Sequence, residues 1–64
     1  MAEIRAVRRM VRIGAVAARL GVHEDTVRAL VARGELRAYR VGEHGHLRFY
    51  PADVDAVLRP VEVN

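Results

Sequence analysis

The side chains able to do chemistry in this chain are arginines, carboxylates and three histidines, with no cysteine. All 11 basic residues are arginine. A guanidinium pairs with phosphate through two parallel hydrogen bonds, a geometry that lysine lacks. A high-GC coding bias also favours arginine, so distribution carries more weight than type. Ten arginines against five acids give +5 from Met1 to Tyr50, and one against three gives −2 from Pro51 to Asn64. The basic part of the chain suits a polyanion. His44 and His46 invite a metal reading, but two imidazoles without a thiolate or a placed carboxylate do not complete a tetrahedral site. There is no G-x-S-x-G, no glycine loop leading to a lysine and no evident carboxylate pair in a pocket. The expectation is a binding protein rather than an enzyme, with no cofactor and no metal.

The arginines must be positioned by something, and the chain of 64 residues has room for one small domain. Its organising stretch is Val22 to Gly34, VHEDTVRALVARG. Val27, Leu30 and Val31 recur at helical spacing and predict a buried face, leaving Asp25, Arg28, Ala29 and Ala32 outward. Two alanines beside one arginine let a helix backbone approach a partner closely, and the DNA major groove accepts a whole helix. His23 falls at the cap. Glu24 and Asp25 occupy the first turn, where the helix dipole favours acids. A second reading has one of these carboxylates accepting from a cytosine amino group.

Before it, Ile13 to Leu20 predicts a short helix buried through Ile13, Val16, Ala17 and Leu20 and stopped by Gly21. The connection Gly21 to His23 forces a steep crossing, the geometry of a helix-turn-helix. After it, Ala38 to Val41 and Leu47 to Tyr50 alternate around the loop GEHGH and predict a β-hairpin. Tyr39, Val41, Leu47 and Phe49 are expected on one face. A loop centred on His44 sets Arg40 opposite Arg48, a like-charged pair that a phosphate between them would relieve. Pro51 to Leu58 predicts a last helix, buried through Val54, Val57 and Leu58 and ended by Pro60. The expected fold is a small α+β winged helix-turn-helix over residues 11 to 59. A basic arm, 1 to 10, precedes it and a tail, 60 to 64, follows. The arm reads either as an amphipathic turn through Ile4, Val7 and Val11 or as a loose tail. No apolar run is long enough to span a membrane, and no cleavable signal is evident. A soluble cytoplasmic protein, bacterial or phage-encoded, is expected.

The segments LGVHEDTVRALVARGEL (Leu20 to Leu36) and AYRVGEHGHLRFYPADVDAVL (Ala38 to Leu58) resemble the winged helix-turn-helix of the excisionase and MerR-like families. The likeness runs from about Val11 to Leu58. It implies a second helix in the major groove, presenting His23, Glu24, Asp25, Thr26, Arg28, Ala29 and Ala32, with Arg28 at the place of a family arginine that touches the backbone. It implies a wing carrying Arg40, His44, His46 and Arg48. Arg8, Arg9, Arg12, Arg33 and Arg37 are candidates for further phosphate or arm contacts. Two departures stand out: Arg12 and Gly14 replace a good helix start, and Glu24 and Asp25 replace polar or basic residues.

MerR-type regulators append a dimerising helix and an effector domain, so a chain ending here points away from effector sensing. The resemblance therefore implies an excisionase, an architectural protein that binds adjacent sites cooperatively and head to tail, bends DNA and contacts an integrase. The alternative is a small stand-alone MerR-like transcriptional regulator. A third reading is a protein-binding winged-helix adaptor, against which the outward arginines and alanines argue. About five to seven phosphate contacts would give a salt slope near −5 to −6.

Overall fold

The computed structural model describes residues 9–62. Arg8 and nearly all of the basic arm, with Ile4 and Val7, lie outside the described residues, as does the end of the tail.

The first helix, α1, covers Ile13–Leu20 and the second, α2, covers Glu24–Ala32. Gly21 closes α1 at φ 69°. Its N–H donates to the Ala18 carbonyl at 3.2 Å, and the Val22 N–H donates to Ala17 at 3.0 Å. A left-handed residue that ties off the last carbonyls in this way turns the chain sharply, and glycine adopts it without a Cβ penalty. Gly34, at φ 76°, ends α2 likewise, with the Glu35 N–H donating to Leu30 at 2.9 Å. The short link between the helices is as the sequence predicts. Arg12 caps α1 without a side-chain hydrogen bond. At α2 the His23 Nδ1 accepts from the Asp25 N–H at 3.1 Å. The same nitrogen lies 3.6 Å from the Asp25 carboxylate.

Three strands form one antiparallel sheet: β1 (Val11–Arg12), β2 (Tyr39–Arg40) and β3 (Leu47–Phe49), in the order β1-β3-β2. The sheet therefore has one strand more than the expected hairpin. Val11, read as part of an amphipathic turn, pairs instead with Phe49. Two residues are too few for alternation to show, and their partners, Phe49 and Arg48, lie 38 and 36 positions along the chain.

The hairpin register corrects the sequence reading. Arg40 faces Leu47 and Tyr39 faces Arg48, so Arg40 does not oppose Arg48. The link between the strands is Val41 to His46, one residue longer than GEHGH. A slip of one residue exchanges the two faces of a strand. Val41, expected inward, is accordingly 59% exposed. Tyr39 shares the face of Arg48, while Arg40 moves to the face of Leu47 and Phe49.

The last helix, α3, covers only Pro51–Asp55. The chain beyond it tightens into bonds from Val57 to Val54 and from Leu58 to Asp55, both 3.1 Å. Pro60 disfavours helical geometry at Arg59 before it, so the chain does not resume a helix beyond this point. Leu58, expected in the core, is 61% exposed.

The core draws on every helix and the central strand. Val16, Val27, Phe49 and Val54 are fully enclosed, joined by Ala17 and Leu36. Ile13, Leu20, Leu30, Val31, Leu47 and Val57 pack around them. Arg19 clamps α1 to α3, its Nε and second guanidinium nitrogen each donating to an Asp55 oxygen at 2.7 Å. This holds the Asp55 carboxyl below the usual carboxylate range.

Candidate nucleic-acid interface

The corrected register has a functional consequence. Placed on the core side of the sheet but beyond the edge of the core, Arg40 faces the same space as α2. There it borders an open concavity of about 530 Å³, walled by Arg12 from the β1–α1 junction, Arg28 from α2, and Arg40 and His46 from the wing. Gly14, Gly45 and Leu47 complete the lining with Ile13. Four cationic or protonatable side chains thus come from three parts of the fold to one surface. Arg12 and Arg40 have no ion-pair partner among the described residues.

Arg28 is different. Its guanidinium lies 3.0 Å from Asp25 and 3.5 Å from Glu24, one helical turn back on the same face. The side chains are 55%, 79% and 45% exposed respectively, so all three meet solvent. The Glu24 carboxylate also reaches the first turn of α1, 3.5 Å from where a Cβ on Gly14 would stand. The outward face of α2 therefore carries a net charge of −1, from two acids and one arginine. Thr26 and Ala32 are exposed on α2, His23 is exposed at its cap, and Ala29 is half-buried.

The wing is shaped by its own glycines. Gly42 takes φ 75°, and a Cβ at Gly45 would collide with the Val41 carbonyl, so the loop folds back on itself only with glycine there. His44 is exposed at this loop and does not line the concavity. Arg48 does not line it either, because alternation from the buried Phe49 sends Arg48 to the outer face of the sheet. Arg33 is engaged by Glu35 at 2.8 Å, and Arg37 lies beside Tyr39, whose hydroxyl favours its charged form still further. Neither joins the concavity. Arg9 is exposed.

Sequence reasoning missed the Arg19–Asp55 clamp and the burial of Leu36, since neither repeats at any local spacing. Among the described residues no group of three or more His, Cys, Asp or Glu is placed to hold a metal ion. None of the described helices is long and apolar enough to cross a membrane.

Two helices joined by a tight glycine turn, beside an arginine-walled groove, define a helix-turn-helix module of the kind that binds double-stranded DNA. The chain belongs to the helix-turn-helix domain family, whose model matches residues 10–60. No curated protein and no solved structure matches it.

Proposed function

We propose that this chain is an architectural DNA-binding protein of the excisionase type, which grips a duplex between α2 and the wing and directs an integrase toward excision. The observation that carries the duplex-binding part is the concavity where Arg12, Arg28 and Arg40 converge beside the exposed face of α2. α2 enters the major groove with Asp25 and Ala32 toward the bases, and Arg12, Arg28 and Arg40 hold the flanking phosphates. His46 donates at the rim and His44 at the tip of the wing. The role is binding, without catalysis or cofactor.

The architectural part is supported by the resemblance of Leu20 to Leu58 to excisionases and by the economy of the surface. Among the described residues Arg33 is held by Glu35, and the arginines that line the concavity are Arg12, Arg28 and Arg40. A module with about three phosphate contacts binds weakly alone at physiological salt. Contacts between copies on adjacent sites, head to tail, would restore affinity and bend the DNA. The test is a circular-permutation mobility shift on the end sequence of the encoding element, paired with an excision assay containing its integrase. Ladder-like cooperative shifts, a position-dependent bend and stimulated excision are expected. A single unbent complex at a promoter, with no effect on excision, would favour the stand-alone regulator.

A further inference from the structure

The central strand carries a charge that has no partner among the described residues. Arg48 stands directly opposite Arg12 on one neighbouring strand and opposite Tyr39 on the other. Tyr39 packs edge to face on Tyr50, with ring centres 5.3 Å apart, and so closes one flank. The Arg48 side chain is partly buried, and its Nε is enclosed without any hydrogen-bond partner. Like charges directly opposite on paired strands repel. An enclosed charged donor without an acceptor is more costly still. No acid relieves either group, because every ion pair among the described residues involves Arg19, His23, Arg28 or Arg33. A domain this small has little stability to spare for such an arrangement, and local rules are broken mostly at functional sites.

We propose that Arg12 and Arg48 form a clamp for one phosphodiester of the DNA backbone on the outer face of the sheet, next to the concavity that Arg12 also borders. Residues opposed across antiparallel strands have Cβ atoms about 5 Å apart, which lets two guanidinium forks converge on the two non-bridging oxygens that share one phosphodiester's charge. Continuity favours DNA over an acidic protein: Arg12 also borders the concavity, so a strand passing that groove continues onto Arg48. The inference rests on the duplex-binding reading above and adds a second grip to it.

The experiment compares the full chain with Arg48→Met and Arg12→Gln, by thermal melting and by anisotropy on a random-sequence 20-base-pair duplex across a salt series. Arg48→Met keeps the length of the side chain and removes the unpartnered charge, so it is expected to melt at or above the wild-type temperature. Its DNA affinity is expected to fall roughly eightfold at about 0.1 M salt, with the salt slope reduced by about 0.9, the loss of one phosphate contact. Arg12→Gln, at an exposed position, should lose as much or more. Inorganic phosphate at millimolar concentration should not displace the duplex. Wild-type binding with unchanged affinity and slope in both variants would overturn the clamp while leaving the duplex reading intact. A lowered melting temperature in Arg48→Met would assign Arg48 a structural role and also overturn it. So would normal single-site binding with loss only of association between copies, the signature of a protein partner. Absence of wild-type binding would overturn both readings together.

Discussion

Removing the Asp25 charge should strengthen binding to random DNA while weakening the fold. In the structure Asp25 and Glu24 hold Arg28 at 3.0 and 3.5 Å, on an exposed helix face with a net charge of −1. For a carboxylate and a phosphate about 7 Å apart, the separation assumed for Asp25 with α2 in a groove, two like charges in water repel by roughly 0.6 kcal/mol. The exposed pair to Arg28 contributes about 0.2–1 kcal/mol and must be given up when Arg28 turns to DNA. Asp25→Asn relieves both, a gain of about 1 kcal/mol, or roughly fivefold in affinity for a random duplex at low salt. The same change loses the ion pair and a favourable acid in the first turn, so the melting temperature should fall by about 4–8 °C per kcal/mol lost. Anisotropy titrations on random duplex at about 50 and 150 mM salt, with melting curves alongside, read both effects; the gain should shrink as salt screens the charges. If Asp25 also accepts from a cytosine amino group, Asp25→Asn should lose preference for its selected site while gaining on random sequence. Unchanged or weaker binding to random duplex would refute the placement of this face against DNA.

Other consequences are more local. Gly45→Ala should collapse the wing, because its Cβ meets the Val41 backbone; loss of protection of the β2–β3 amides in hydrogen exchange, with the helices retained, would show it. Gly14→Ala should do the reverse and raise stability by about 0.5–1 kcal/mol, since the added methyl finds only an ordinary contact with Glu24; a fall in melting temperature would contradict this. The Arg19–Asp55 clamp gives a pH signature. Arg19 hydrogen-bonds Asp55 and holds its carboxyl below the usual range, so the clamp's contribution is complete above the unfolded carboxylate value and is lost as pH falls through the lower folded one. Melting curves of Asp55→Asn should therefore be less stable at neutral pH and flatter on the acid side.

The first two helices were legible in the sequence because each carries its own evidence, whereas the last is shorter than its apolar spacing suggested. Apolar spacing placed Val16 and Val27 inside, and glycines at Gly21 and Gly34 marked the ends. The sheet was not, because its information is non-local. Alternation in Leu47 to Tyr50 showed a strand but not which residue of Tyr39 or Arg40 meets Arg48. That choice depends on how Gly45 folds against Val41, a contact invisible to strand periodicity. The slip matters more than its size, since it moved Arg40 into the concavity and left Arg48 facing Arg12. Composition singles out the arginines as a class, but their division into paired and unpaired depends on partners such as Glu35 for Arg33.

The most direct test of duplex recognition is the salt dependence of binding to a labelled duplex of about 20 base pairs. Arg28, Arg40 and the Arg12–Arg48 pair hold three phosphates in this account, and at about 0.9 per phosphate they give an expected slope of log K against log salt of about −3. Arg40→Ala should reduce its magnitude by about one. No binding at about 50 mM salt, or a slope near zero, would contradict a surface built to hold phosphates.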